Sequence, residues 1–581
     1  MSLFRDLLID KKRRRYFCEV EYLESTGTQY IDTGVYPADM TYVEAEAQYT
    51  RVNIRQTLLG CYVTSGGSNY NTFAGTNVQS NYANFFAQWS PGNYSGPVAS
   101  DTNKHFFSFN KPTKVFTVDN STTTLEGTTS NVSGQTLYMF ATHSGSTIDR
   151  QANTKIYYLK IKNGDTLVRD FIPVLGWDGK GYMYDRVSRQ LFGNAGTGDF
   201  SYGREIHPVE YLESTGTQYI NTGYKPNTNT ECSMDFMFTS LDSTYRTPLS
   251  IRTSDGAADS FTMATTTTSL LNFAFGTTYF DVTNSPQANT YYKATLKSGE
   301  ATLNNLSVTK AASTITPSGL TAYMFARNAN GTAANFFIGR IYNCQIKESN
   351  TLVRDYIPAI SEDGTPFMFD RVTHTCFLNQ GTGVFKYPPV ELEYLVADGN
   401  QYIDTGIQPT DSYGYSIRNS YTVGGGEQCA IGCMDSGNRF VGIYTSGSEN
   451  AISGAWGDFV GFLPNYTWTT GTILEVKSNY KNSRQITIGD TLMKDITDIH
   501  ISGTIGNTVY LFARHYGSTI TTMKGKMYCA EITNGQNIVA TYIPAFKDGA
   551  AGMLDKVNNV FYTNAGTGTF VCGRIREPEY E

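Results

Sequence analysis

One segment occurs three times in this chain, and its spacing constrains the fold more than any other feature. VEYLESTGTQYIDTG runs from Val20 to Gly34, VEYLESTGTQYINTG from Val209 to Gly223, and a degraded LEYLVADGNQYIDTG from Leu392 to Gly406. A closing string accompanies each copy: YDRVSRQLFGNAGTGDF from Tyr184, FDRVTHTCFLNQGTGVF from Phe369 and LDKVNNVFYTNAGTGTF from Leu554. Asp185, Asp370 and Asp555 follow one another at intervals of 185 residues, as do Gly196, Gly381 and Gly566. A solenoid unit has a period of about 20–50 residues, so each copy is long enough to bury its own core as a domain. The expected plan is a head at 1–18, domains at 19–203, 204–388 and 389–573, and a tail at 574–581.

Composition points to β-structure with a polar, weakly charged surface. Charged residues make up 17% of the chain, against about 25% in ordinary proteins. Apolar residues alternate with polar ones: Val43, Ala45, Ala47 and Tyr49 against Glu44, Glu46 and Gln48, then Cys232, Met234, Phe236 and Phe238 against Ser233 and Asp235. That period of two is the signature of strands with one buried face. In the late strings KIYYLKI, RIYNCQI and KMYCAEI the same rule puts Tyr157, Leu159 and Ile161, Tyr342, Cys344 and Ile346, and Tyr528, Ala530 and Ile532 on the core side. Asp178-Gly179, Asp363-Gly364 and Asp548-Gly549 mark hairpin turns.

The pairing of YLESTGTQYIDTG with DRVSRQLFGNAGTGDF, with GRIYNCQI between such strings from Gly339, resembles the laminin-G-like, concanavalin A-like sandwich domains common in phage and gut-bacterial proteins. The resemblance covers all three repeats. It implies an all-β chain of three tandem jelly-roll sandwiches, with first and last strands side by side in each. Linkers are expected at Tyr202–Pro208 and Lys386–Val390, stiffened by proline.

The amino end differs from the body. Leu3, Phe4, Leu7 and Leu8 form an apolar stripe before the basic run Lys11, Lys12, Arg13, Arg14 and Arg15, as in a short helical or extended anchor. With the formal net charge at −7 and the bases of the head set aside, the body is acidic, and nucleic acid is not an expected partner. The head lacks the apolar core of a secretory signal, and no apolar run reaches the ~18 residues of a membrane span. Assembly in a host cytoplasm without membrane insertion is therefore expected.

Chemistry-bearing patterns are few. Glu44 and Glu46 have the alternate spacing of a glycosidase pair, but their counterparts are Ser233 and Asp235, then Ser416 and Arg418, so solvated glutamates on an outward face are the plainer reading. Asp185, Asp370 and Asp555, each followed by a base, suit hairpin caps. Asp32 and Asp404, with Asn221 between them, are calcium candidates without the clustered oxygens calcium needs. No other cofactor, no protein metal site and no catalytic residue is expected. His143 aligns with His515, with Asn328 between. The nine cysteines mostly do not recur, and Cys429 and Cys433 lack a second ligand pair; buried free thiols are expected.

The copies differ most at 62–103, 252–288 and 434–467, stretches rich in small polar and aromatic residues. Trp89, Trp456 and Trp468, in or beside them, are candidates for stacking on sugar rings. The expected function is that of a non-catalytic phage virion protein, as head fibre, capsid decoration or tail fibre. Its head would bind other virion proteins and its domains host or mucosal glycans. The alternatives are a bacterial surface appendage, a glycan-cleaving enzyme and a purely architectural protein.

Overall fold

The computed structural model describes residues 17–63, 69–77, 83–89, 96–126, 134–242, 244–267, 270–283, 285–410, 412–435, 439–445, 451–457, 459–480, 484–489, 491–496 and 504–576. All regular structure among them is β. Each repeat folds into a larger and a smaller sheet, and the chain divides into two compact units, Arg15–Phe385 and Lys386–Glu581. The expected all-β plan of tandem sandwiches is what these residues form.

In the first repeat the larger sheet runs in order through Val115–Val118, Lys104–Asn110, Thr41–Tyr49, Asn153–Asn163, Thr166–Gly176, Gly181–Asp185 and Gln190–Phe192, all antiparallel. Thr41–Tyr49 alternates as its sequence demands, with Val43, Ala45, Ala47 and Tyr49 fully buried. Asn153–Asn163 departs from strict alternation. Its register against Thr41–Tyr49 shifts between Ile156 and Tyr158, so that Ile156, Leu159 and Ile161 line the core. The extra residue is Tyr157, turned instead toward Tyr22, 5.4 Å between ring centroids. The same bulge recurs at Tyr342 beside Tyr211 (5.7 Å) and at Tyr528 beside Tyr394 (5.6 Å). The expected core parity of these three tyrosines is thus corrected: one inserted residue reverses which neighbours face inward.

The smaller sheet contains one strand with partners of both senses. Gln56–Val63 pairs antiparallel with Tyr138–Met139 and parallel with Thr142–Ser144. The intervening Phe140 has φ 64°, and its counterparts Phe325 and Phe512 have 65° and 62°. A left-handed residue at this point reverses the local chain direction. Each phenylalanine is fully buried, against Phe200, Phe385 and Phe570 in turn, and that packing holds a conformation that bulky residues otherwise avoid.

The opening and closing strings clasp each other through side chains that satisfy backbone groups. Gln29 accepts from the Thr26 amide at 2.9 Å and donates to the Asp199 carbonyl at 3.0 Å. Gln218 does so with Thr215 and Val384 (2.9 and 3.1 Å), and Gln401 with Asp398 and Thr569 (2.8 and 3.2 Å). From the other side Asn194, Asn379 and Asn564 accept the amides of Tyr30, Tyr219 and Tyr402, each at 3.1 Å. A Cβ on Gly196, Gly381 or Gly566 would stand 2.1–2.2 Å from a carbonyl oxygen of the opening string, which accounts for glycine at that spacing. Asp185, Asp370 and Asp555 are buried and accept the amides two residues on, of Val187, Val372 and Val557, at 3.0–3.1 Å. They cap turns.

The Tyr202–Pro208 segment is not a free linker. Ser201–Tyr202 pairs with Leu23–Thr26, and Glu205–Pro208 lies between Phe17–Val20 of the first repeat and Thr351–Ile360 of the second. The two larger sheets therefore join edge to edge into one sheet of 21 strands. Lys104 reinforces the joint: its ammonium donates to the Thr375 hydroxyl at 2.6 Å and pairs with Glu46 at 3.5 Å. Burial raises the Glu46 carboxyl and lowers the Lys104 ammonium. Glu44, held by Lys160 at 3.1 Å and by the Tyr42 hydroxyl at 3.0 Å, is likewise engaged. The reading of both as solvated glutamates is corrected, because each is part-buried and paired with a lysine.

Gln218→Ala removes the bonds to the Thr215 amide and the Val384 carbonyl, each worth about 0.5–1.5 kcal/mol net, and is expected to lower stability by about that much per bond in chemical denaturation. A second expectation concerns pH. Burial alone would lower the pKa of His105, but Asp101 (2.8 Å) and Asp119 (2.7 Å) outweigh it and hold the imidazole above its ordinary 6.5. The stabilisation is complete below pH 6.5 and is lost as pH rises through the higher folded-state value. Unfolding curves across that range should show the loss in the wild type and a flatter profile in His105→Gln.

Candidate ligand surface

Within the opening string, alternation divides the labour. Gln29 and Ile31 are buried, while Tyr30 and Asp32 point to the other face. Opposite Asp32 in the register stands Tyr138, just before the Phe140 reversal, and opposite Asp404 stands Tyr510. The reversal brings the next strand alongside, so that His143 and His515 return to these rings.

The result is a short ladder of stacked rings. Tyr30 and Tyr138 lie 5.0 Å apart at 19°, and Tyr138 and His143 4.0 Å apart at 11°. In the third repeat Tyr402 and Tyr510 are 4.8 Å apart at 12°, and Tyr510 and His515 4.4 Å at 12°. Tyr30, His143, Tyr402 and His515 are half-buried, so the stack borders solvent. The second repeat keeps Tyr219 against Tyr323 (4.9 Å, 30°), but Asn328 replaces the histidine and is itself buried, bonded to the Thr321 carbonyl and the Gly331 amide at 2.7 Å each. Its ladder is shorter and lacks a titratable end.

Beside each ladder sits an oxygen acceptor. Asp32, Asn221 and Asp404 accept the amides of Gly34, Gly223 and Gly406 at 2.9, 3.0 and 2.9 Å. Burial first, then the nearby Asp404 and Tyr402, pushes the Tyr510 hydroxyl up to about 12; burial and Asp32 raise Tyr138 in the same direction. Both phenols therefore stay protonated, as hydrogen-bond donors, at neutral pH. Flat apolar faces edged by donors and acceptors suit a sugar ring, which presents C–H patches rimmed by hydroxyls. Among the described residues neither Asp32 nor Asp404 belongs to a group of three or more potential metal-ligating side chains. The calcium candidates are thus turn residues on the ladder's margin.

The tryptophan candidates fare differently. Trp89 is 7% exposed, packed on Phe109 at 5.2 Å with the Lys111 ammonium over its ring, and Trp468 is 3% exposed, against Tyr421 at 4.7 Å. Both serve the core, where bulky rings fill the space between sheets, and neither leaves a face for a sugar. Trp456 lies on the strand Ala451–Gly457, opposite Val441 and Phe459, and its side chain is outside the described residues. So are the anchor residues Leu3, Phe4, Leu7, Leu8, Lys11, Lys12, Arg13, Arg14 and Arg15. Cys429 and Cys433 are buried, their thiols pushed upward by burial, to about 12 for Cys429. The ladder itself escapes sequence reasoning because its rings come from segments about 100 residues apart. The available signal was the recurrence of Tyr138, Tyr323 and Tyr510, each two residues before a buried phenylalanine.

No family model matches the sequence, and no curated protein does. Among solved structures the chain is similar to the LG1-3 region of the laminin alpha2 chain, at 9% identity over 96% of this chain and 100% of that one, with a TM-score of 0.27. It is also similar to domains LG4-5 of the mouse laminin alpha1 chain, at 10% identity over 64% of this chain and 98% of that one, with a TM-score of 0.24.

The ladder is expected to tolerate truncation at its exposed end. His515→Ala removes one ring of the stack and should shift the melting temperature of the third sandwich little, since a stacked pair at a half-exposed site contributes about 0.5–1.5 kcal/mol. A loss of several times that size in calorimetry would mark His515 as a core element.

Proposed function

We propose that the chain is a non-catalytic display protein of a phage virion, a head fibre, decoration or tail fibre, mounted by its amino-terminal segment and presenting its sandwiches to host or mucosal glycans. The observation that carries the glycan reading is the repeated ladder, Tyr30–Tyr138–His143 and Tyr402–Tyr510–His515, half-exposed and flanked by Asp32 and Asp404. Two similar sites on one chain favour adhesion to repetitive glycans, where weak sites gain by avidity. The virion setting rests on the apolar and basic segment 1–18 joined to an acidic body.

A glycan-cleaving enzyme is the reading disfavoured by Glu44 and Glu46. Each carboxylate is paired with an ammonium group, Glu44 with Lys160 and Glu46 with Lys104, which argues against a free acid–base pair. A purely architectural role is the reading that remains if no sugar binds.

Binding to an immobilised glycan array separates these. The display reading expects binding that falls at least about tenfold, roughly 1.4 kcal/mol, in the double variant Tyr30→Ala, Tyr402→Ala, with far-ultraviolet circular dichroism unchanged. No binding at high avidity would leave architecture alone. Release of reducing sugar from polysaccharides, abolished by Glu44→Gln, would overturn the non-catalytic assignment.

A further inference from the structure

The joint between the first two repeats gathers donor atoms that neither the ladder nor the clasp uses. The ladder of Phe17–Val20 with Glu205–Pro208 pairs Glu19 with Ile206 and Val20 with Glu205. One step further along lie Cys18 and His207. Residues opposite each other in an antiparallel pair share a face, so Cys18, Glu205 and His207 emerge on the same side. Their ligand atoms, one thiol, one imidazole nitrogen and one carboxylate oxygen, lie within 4.8 Å of one another. Glu362, just beyond the strand that pairs with His207, stands outside that group of three but approaches it: its Oε2 is 3.0 Å from His207 Nε2, and Glu205 Oε2 is 3.7 Å from the same nitrogen.

We propose that Cys18, Glu205, His207 and Glu362 form a zinc site that locks the first sandwich to the second. A thiolate, an imidazole and carboxylates are the ligand types zinc takes, in a tetrahedron whose edges are roughly 3.3–3.8 Å. The two measured separations from His207 already fall near that length. Cys18 and His207 are buried, whereas Glu205 and Glu362 line an open cleft of about 460 Å³ shared with Glu21, Arg204 and Asp363, which gives the ion a route in. On binding, the Cys18 thiol gives its proton to solvent and the thiolate takes the metal.

The distribution of these residues among the repeats supports a site specific to this joint. Cys18 and His207 occupy the same place in their repeats, two residues before Val20 and Val209, and the third repeat has Val390 there. Glu362 corresponds to Trp177 in the first repeat and Lys547 in the third. Ligands occur where two repeats meet across a shared ladder and are replaced by an apolar residue and a cation in the copy that forms its own unit.

The test uses the full chain, stripped of metal with a chelator and then titrated with zinc or cobalt ions. The wild type should take up one equivalent with a raised melting temperature. Its cobalt form should show a thiolate charge-transfer band in the near ultraviolet. Cys18→Ser should abolish the band, and Glu205→Gln and His207→Ala should each weaken uptake at least tenfold. Cys572→Ser, which removes the exposed thiol far along the sequence, should change neither. Uptake by the wild type no greater than by Cys18→Ser, or a band that survives Cys18→Ser and disappears with Cys572→Ser, overturns the site. So does a melting temperature unmoved by zinc, the outcome expected of a plain ion pair. Far-ultraviolet circular dichroism of Cys18→Ser, unchanged from the wild type, separates a loss of binding from a failure to fold.

Discussion

The structure depends on satisfying backbone groups where the two ends of each repeat meet. In the first repeat Gln29 and Asp199 lie 170 residues apart in sequence. Closing so long a loop costs conformational entropy that only packed, fully bonded ends repay. Each closing segment turns tightly around glycines and leaves amides and carbonyls that no sheet neighbour reaches. The paired amides of Gln29 and Asn194, and their copies, supply those partners, and the buried aspartates do the same for the next turn. An unmet buried polar group costs more than a made bond returns, which explains why these few residue types recur when much else drifts.

The fold class and the scaffold role of the repeated strings were legible in the sequence, because a period of two and exact spacing survive without knowledge of partners. The bulges were not. Tyr157 sits in an unbroken alternation, and only the register against Thr41–Tyr49 reveals the inserted residue. Trp89 and Trp468 were misplaced for a related reason: a large aromatic in a polar, variable stretch reads as a binding residue, yet the burial of the surrounding strands decides its use. The opening string proved to be more than scaffold. Its even and odd positions face different ways, so Gln29 holds the fold while Tyr30 and Asp32 meet solvent, and their partners Tyr138 and His143 are brought in by a chain reversal that no local pattern announces.

The segment that opens a repeat differs in residue type between the second and third copies. In the second repeat Glu205 and Ile206 pair with the edge of the first. The equivalent positions in the third are Pro388 and Pro389, which have no N–H to give. The third repeat's strand Val390–Glu391 pairs with Asn537–Lys547.

The side-by-side placement of opening and closing strands has a mechanical consequence. A tensile load along the chain enters a sandwich at one strand and leaves at its neighbour, as from Val396 to Val571 in the third repeat. The force is then borne across a short stretch at the domain's margin, and the packed sheets behind it stay unloaded. Extension would begin by peeling these margins, one repeat at a time, while the seam between the first two copies shares its load among parallel bonds. A chain so built yields in steps under load.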